Sequence, residues 1–426
     1  MIETVKGTRE FYPETMAVRM WLYEKMRRVS RTFGYQEYDG PFLEPLELYA
    51  AKSGDELVRE QAFVFKDRGD NWITLRPELT PSLARMVAQK QRELTFPLRW
   101  WSFGPMWRYE RPQKGRSREF FQWNVDLIGA ESPEADAELV AVAAAFLRES
   151  GLSPKEVVIL VNNRRLVDAQ FEKLDITIEN RPSALRLIDR REKMSLEKWR
   201  AYAAETVGLS AEQTAGIEAM MQNEDLWQES DEMQRFFAAA NALGVGEYLR
   251  FAPYIARGLD YYTGTVFEAR DPNGEFRAIL GGGRYDNLVA AVGGEPLSGV
   301  GFAMGDMVIS LVLEKFGHLP DPQRLLVSPV LVTVFEESLL LESLRLSSEL
   351  RAAGLNVVCY EQATKLQKQL KYAERIGARV VVLLGPDELA NGKVAIKNLA
   401  ERTQILVGRE TAAASIEKIL VSAAGS

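Results

Sequence analysis

The chain has 426 residues, 46% hydrophobic and 27% charged, with a net charge of −7. That length calls for two or three domains, and the acidic balance excludes a general nucleic-acid coat, which needs a surplus of Lys and Arg. A single histidine and a single cysteine exclude a two-histidine metal site, a histidine–cysteine cluster and an intrachain disulfide.

No apolar run is long enough to span a bilayer. The start, Met1 to Gly7, has neither a basic nor an apolar leader segment, so the expectation is a cytoplasmic protein with no membrane partner. His318 falls where a helix ends in a linker and reads as a surface residue. Cys359 falls in an apolar run and reads as a buried, inert thiol. Residues 321–426 carry 13 Lys and Arg against 12 Asp and Glu, so the acidic excess lies in the first 320 residues.

In chain order, Val18, Trp21, Leu22, Met26, Val29 and Phe33 repeat at helical spacing, which predicts an amphipathic helix over 14–33 stopped at Gly34. Tyr35 to Pro41 reads as a short strand, and Ala62–Lys66 and Trp72–Leu75 as two more. Thr80-Pro81-Ser82 opens a helix, with Thr80 as its cap. Residues 97–129 form a hairpin around Lys114-Gly115, and 133–150 a helix stopped at Gly151. This irregular order predicts an α+β domain with a mostly antiparallel sheet. Residues 165–247, rich in Glu, Gln, Ala, Met and Lys, predict a helical insertion. Strands return at Thr265–Ala269 and Phe276–Leu280; Gly281-Gly282-Gly283 reads as a turn entering a helix, and another helix runs from about Met304 to Phe316. Pro320, Pro322 and Pro329 mark the domain boundary. Beyond it, strands at Leu331–Phe335, Val357–Tyr360, Val380–Leu384, Lys393–Ile396 and Gln404–Val407 alternate with helices, the last from Ala412. That pattern predicts a small α/β domain with a mostly parallel sheet.

The hairpin carries the strongest chemical signal. Arg108, Arg111, Lys114, Arg116 and Arg118 crowd eleven positions, with Glu110 and Glu119 among them and Phe120, Phe121 and Trp123 following. Guanidinium forks grip phosphate oxygens in pairs, a carboxylate accepts from an exocyclic amine, and an aromatic face stacks on a base. The competing reading is a solvated edge hairpin whose charges discourage aggregation. Arg76-Pro77-Glu78-Leu79-Thr80 sets a carboxylate and a hydroxyl at a strand–helix junction, where an ammonium group could bind or Thr80 could simply cap. Ile255 to Gly264 gathers Arg257, Asp260, Tyr261 and Tyr262 around a glycine turn, as packing or as a site. Gly281 to Asp286 lacks the spacing of a P-loop. Lys365, Lys368, Gln369 and Lys371 line one side of a late helix, either solvated or facing RNA phosphates.

Together these stretches resemble the histidyl-tRNA synthetase family of class II aminoacyl-tRNA synthetases, over nearly the whole chain and in the same order. Lys6-Gly7-Thr8-Arg9 is similar to the family's opening signature. Gly34 to Pro41 with Glu44 is similar to motif 1, which builds the dimer interface, and Arg108 to Gln122 to motif 2. Arg257–Tyr262 and Gly282–Asp286 resemble the two histidine-specific signatures, and the last hundred residues, with Gln369 to Ala373, the anticodon-binding domain.

The resemblance implies a catalytic domain of residues 1–164 and 248–318, a helical insertion of 165–247 and an anticodon-binding domain of 326–426. It implies that ATP, with Mg2+, and L-histidine form histidyl-adenylate, and that a homodimer passes the histidyl group to tRNA(His). Arg108 would hold the α-phosphate with Arg257 opposite, Glu110 would read the adenine amine, Arg116 would grip the distal phosphates and Phe120 would stack on adenine. Glu78 and Thr80 would bind the α-ammonium, and Gln122, Asp126, Tyr262 and Tyr285 would surround the imidazole. Two departures stand out. The arginine that ends motif 3 is expected at Val308 and is absent, and Asp126 stands where a longer glutamate is common. The family also contains silent relatives, among them the histidine-sensing regulatory subunit of ATP phosphoribosyltransferase. These lack the anticodon domain and the catalytic arginines, whereas this chain keeps Arg108, Arg116, Arg257 and its last domain.

Overall fold

The computed structural model describes residues 2–50, 61–256, 262–326 and 328–422. The chain divides into two compact units, Met1–Asp321 and Pro322–Ser426.

In the first unit the strands are β1 (Gln36–Glu37), β2 (Leu43–Pro45), β3 (Phe63–Lys66), β4 (Trp72–Leu75), β5 (Leu98–Trp107), β6 (Glu119–Ile128), β7 (Val158–Asn163), β8 (Leu249–Phe251), β9 (Thr265–Arg270), β10 (Leu280–Tyr285) and β11 (Gly299–Gly305). Eight of them form one sheet in the order β1-β5-β6-β11-β10-β9-β7-β8. Its five inner pairings are antiparallel; the outermost pairs, β1 with β5 and β7 with β8, are parallel. A mostly antiparallel sheet is therefore what forms, with β2, β4 and β3 in a smaller sheet beside it.

Strand β6 shows why the sheet has two unlike faces. Successive side chains of a strand point to opposite sides. Phe121, Trp123, Val125 and Leu127 enter the core, Trp123 and Val125 with no exposure at all. Phe120, Gln122, Asn124 and Asp126 point the other way. The core face is covered by helices Pro13–Thr32, Pro133–Glu149 and Asp306–Lys315, whose buried residues join the same apolar cluster. Ser132 caps the second of these by accepting from the Ala135 amide at 3.2 Å.

The glycine triplet corrects the sequence reading. Gly281, Gly282 and Gly283 are not a turn before a helix but lie within β10, which begins at Leu280; Phe276 to Ile279 precede that strand. Space explains the composition. A Cβ on Gly282 would come within 2.6 Å of Phe302 Cβ on the core face; one on Gly283 would meet Tyr262 Cδ1 at 2.8 Å on the other. The buried Arg284 that follows ties β10 to helix Pro133–Glu149 through Asp136 at 2.6 Å and the Ala130 carbonyl at 2.8 Å.

Between β7 and β8 the chain runs through helices Arg164–Lys173, Arg181–Asp189, Leu196–Tyr202, Ala211–Gln222 and Asp231–Ala242. This helical stretch is the crossover that a parallel strand pair requires. Helix Asp231–Ala242 packs on Pro133–Glu149, with Met233 and Phe236 fully buried.

The second unit has strands β12 (Val330–Val332), β13 (Val357–Cys359), β14 (Val380–Leu383), β15 (Lys393–Asn398) and β16 (Thr403–Gly408) in the order β13-β12-β14-β15-β16. Only β13, β12 and β14 run parallel. β15 and β16 follow one another with a short connection and pair antiparallel, so the sheet is mixed and not mostly parallel. Gln369 does not share the exposed face of Lys365, Lys368 and Lys371. It is fully buried, its amide bonded to both the N–H and the carbonyl of Val334 at 3.0 and 2.7 Å. Cys359 is only half-buried, and burial raises its thiol pKa.

Candidate nucleotide and amino acid site

The face of the sheet opposite the helices holds a cleft of about 870 Å³. The hairpin of β5 and β6 supplies one wall, in antiparallel register from Leu98↔Ile128 to Trp107↔Glu119. Its loop turns at Gly115 (φ +75°), with Gln113 and Arg116 bridged across it. The opening segment of the chain clamps this loop: the Gly7 carbonyl accepts from the amides of Arg118 and Glu119 at 2.9 and 3.0 Å and from Ser117 Oγ at 2.5 Å. Arg9 binds Asp306 at 2.8 Å, and Asp306 accepts from the Phe121 amide at 3.0 Å. The signature around Gly7 thus fixes the hairpin base to the start of helix Asp306–Lys315. Arg118 is spent on structure, stacked on Tyr109 at 4.1 Å and donating to the Glu110 carbonyl at 3.3 Å.

Arg108, Glu110, Arg116, Phe120 and Gln122 all line the cleft. Arg108 donates from Nε to the Pro77 carbonyl at 2.9 Å, with its guanidinium carbon 5.4 Å from the centre of the Phe120 ring. Arg116 and Glu110 form an ion pair. The Pro77 carbonyl is in turn positioned by Arg76, which is fully buried and bonded to the carbonyls of Gly40 and Pro105, each at 2.9 Å.

Further along β6, Asp126 is buried and accepts from Tyr285 Oη at 2.6 Å. Burial pushes the Asp126 carboxyl up to about 7, and the phenol's hydrogen bond pulls it back only in part. Tyr262 is buried beside Gly283. Helix Thr80–Lys90 packs against Tyr285 through Leu83, Ala84 and Val87. Glu78 is buried just before it, with its carbonyl accepting from Tyr49 Oη at 3.2 Å. Thr80 is not the cap: it is the first helical residue, and Leu79 sits at the cap position without a side-chain bond. Its hydroxyl is therefore not committed to capping. Arg257 lies outside the described residues.

Two residues of this region escaped the sequence reading. Tyr38 has its hydroxyl buried near Asp126; burial first, then the Asp126 and Asp39 charges, raise its pKa well above the usual phenol range, and that hydroxyl has no partner among the described residues. Its strand context, Tyr35 to Pro41, gave no sign of this. Arg277 lines the cleft from the segment before β10; it stands in a stretch with strand composition, where a lone arginine signals nothing.

The floor explains how a ligand can lie here. Gly301 stands opposite both Asp126 and Gly283, and Gly305 opposite Gln122. A Cβ on Gly301 would collide with the Asp126 carboxylate, and one on Gly299 would lie 2.9 Å from Tyr285 Cζ. Gly281, Ala303 and Gly305 line the cleft, where a ligand can approach the backbone closely, while Gly283, Gly299 and Gly301 make room for the side chains of Tyr262, Tyr285 and Asp126.

An antiparallel sheet of this order, with an arginine-bearing hairpin over its open face, is the catalytic architecture of class II aminoacyl-tRNA synthetases. The sequence model of "Histidyl-tRNA synthetase" matches residues 7–307, and that of "Anticodon binding domain" matches residues 328–419. The chain belongs to the histidyl-tRNA synthetase family. It is 37% identical over 422 residues to the histidine–tRNA ligase of Haloarcula marismortui, covering 96% of each chain. Among solved structures it resembles histidyl-tRNA synthetase from Nostoc sp. PCC 7120, with a TM-score of 0.82, 27% identity and coverage of 98% and 99%. The fold, at 24% identity, is also that of an ATP phosphoribosyltransferase regulatory subunit/histidyl-tRNA synthetase from Bacillus halodurans C, with a TM-score of 0.70 and coverage of 87% and 96%. Among the described residues no helix is long and apolar enough to cross a membrane.

Proposed function

We propose that this protein joins histidine to tRNA(His) in two steps. The histidine carboxylate attacks the α-phosphorus of ATP, forming histidyl-adenylate as pyrophosphate leaves; the 3′-terminal ribose hydroxyl of the tRNA then attacks the carbonyl and releases AMP. A carboxylate needs no base at neutral pH, so catalysis falls to positioning and charge. Arg108 takes the α-phosphate, with Arg257 as the second cation. Arg116 leaves Glu110 for the distal phosphates, which frees Glu110 to accept from the adenine amine, and Phe120 supplies the stacking face. Glu78 and Thr80 take the α-ammonium. Asp126 and Tyr285, with Gln122 and Tyr262, take the imidazole.

The observation that carries the reading is that one strand serves both ends of such an intermediate. Phe120 and Asp126 are on the same face of β6, about 20 Å apart at 3.3 Å per residue, with a glycine floor between. A buried carboxyl paired with a phenol recognises a ring with an N–H and a second nitrogen, and amino acids lacking them leave it unpaired. Mg2+ is proposed as the companion of ATP, carried by its phosphates. A homodimer is supported by the exposed apolar side chains of Phe42, Leu43, Phe65 and Trp72 on and beside the small sheet, and residues 328–419 by their family are the tRNA-facing part. The place of action is the cytoplasm. A regulatory role without catalysis draws only on the missing arginine at Val308 and is the weaker reading, since Arg108 and Arg116 line the cleft and the anticodon-binding family model matches residues 328–419. Radiolabelled pyrophosphate should exchange into ATP only when histidine is present; no exchange with any amino acid would end the enzyme reading.

A further inference from the structure

Val308, where the family's arginine is missing, is not an empty place in the cleft wall. It is buried, and the hairpin tip is seated on it: a Cβ at Gly115 would lie 3.4 Å from Val308 Cγ2 and 3.8 Å from Leu311 Cδ1. The position serves packing, and a long cation there would unseat the loop that carries Arg116. The same cleft, however, is lined by another arginine, Arg277. Its backbone is fixed on both sides. Asp271 accepts from the amides of Glu275 and Phe276 at 2.9 and 3.0 Å, and the Ile279 amide donates to the Ala269 carbonyl at 2.8 Å. Glu275 is held to helix Asp306–Lys315 by Lys315 at 2.6 Å, and Phe276 lies 5.5 Å under the Lys114 ammonium of the hairpin tip.

We propose that Arg277 is the cation that stands in for the arginine missing at Val308, and that with Arg116 it holds the distal phosphates of ATP. The inference rests on the functional reading above. Desolvation by the cleft lowers the Arg277 pKa first, and the like charge of Arg116 lowers it further, with Glu110 opposing and Arg108 adding. Arg277, Arg116 and Arg108 line one cleft, with Arg277 exposed in it; like charges there repel one another, and a polyanion bound between them removes that repulsion. The carboxylates lining the cleft are already engaged: Glu110 with Arg116, Asp189 with Lys193, Glu268 with Arg270, Asp306 with Arg9, and Asp271 with the two backbone amides named above.

The test compares full-length wild type with Arg277→Ala and Arg277→Lys in histidine-dependent pyrophosphate exchange, with AMP as a competitor. In Arg277→Ala the KM for ATP should rise about ten- to hundredfold, while the KM for histidine stays within about twofold and AMP inhibits as it does in wild type. Arg277→Lys should recover part of the loss. An unchanged KM for ATP overturns the proposal, as does an equal weakening of ATP and AMP, which would place Arg277 on the nucleoside. Should the alanine variant fail to fold, the lysine variant and Arg277→Gln carry the same comparison. Absence of exchange in wild type would instead sink the functional reading.

Discussion

Replacing Asp126 by Asn should stabilise the protein at neutral pH while destroying its recognition of histidine. Asp126 is buried and its carboxyl is pushed from 3.8 up to about 7, chiefly by burial. Between those values the native state holds a proton that the unfolded chain has released, so wild-type stability falls as pH rises from 3.8 to about 7 and is flat with respect to this group above that. At about 1.36 kcal/mol per pH unit the ionised native carboxyl costs at most about 4 kcal/mol. Asparagine keeps an oxygen to accept from Tyr285 and never carries the charge. The variant should therefore match wild type only below the unfolded value of 3.8, exceed it by roughly 2 kcal/mol near pH 5, and exceed it by up to about 4 kcal/mol at pH 8. All eight tryptophans, from Trp21 to Trp227, lie in the first unit, so urea unfolding followed by tryptophan fluorescence reports that unit alone. Histidine binding in wild type should tighten over the same window in which stability falls, because the ionised carboxylate is the form that accepts the imidazole N–H. A stability gap between variant and wild type that does not change with pH would refute the reasoning.

Two further outcomes follow from buried contacts. Arg284→Ala leaves Asp136 unpaired in the core; its carboxyl is already raised to about 6, mainly by burial and against the pull of Arg284, so the urea midpoint should drop by the equivalent of about 3–5 kcal/mol. Gly282→Ala forces a methyl group against Phe302 and the Gly301 carbonyl; it should cost about 3 kcal/mol or more, visible as a loss of soluble protein and a lower thermal midpoint.

The hairpin was legible because three local signals agreed: apolar–polar alternation along Glu119–Ile128, a Lys-Gly turn pair, and cations confined to the loop. The first helix was legible from its spacing and its glycine stop. What was not legible depended on distant partners. A run of three glycines reads as a turn until Phe267, Phe302 and Tyr262, far away in sequence, are seen crowding its Cα atoms. Thr80 reads as a cap because threonine before a helix usually caps; here the backbone enters the helix one residue earlier. Gln369 reads as part of a basic face because three lysines surround it, whereas Lys365 precedes the helix and Gln369 lies about 100° and 200° around it from Lys368 and Lys371, which turns it inward. Arg277 became visible only when the fold placed it in the same cleft as Arg116, and the loss at Val308 became intelligible only when Gly115 was found resting there.

The glycine floor also sets a direction for change. A pocket bounded below by side chains can be enlarged by trimming them, but Gly281, Gly283, Gly299 and Gly301 have nothing left to trim. Every replacement at these four positions makes the site smaller. Any attempt to make this scaffold accept a bulkier amino acid must therefore recut the walls, at Gln122, Tyr262 or Tyr285. Since Tyr285 also anchors Asp126, the widest opening comes with loss of the contact proposed above to read the imidazole ring.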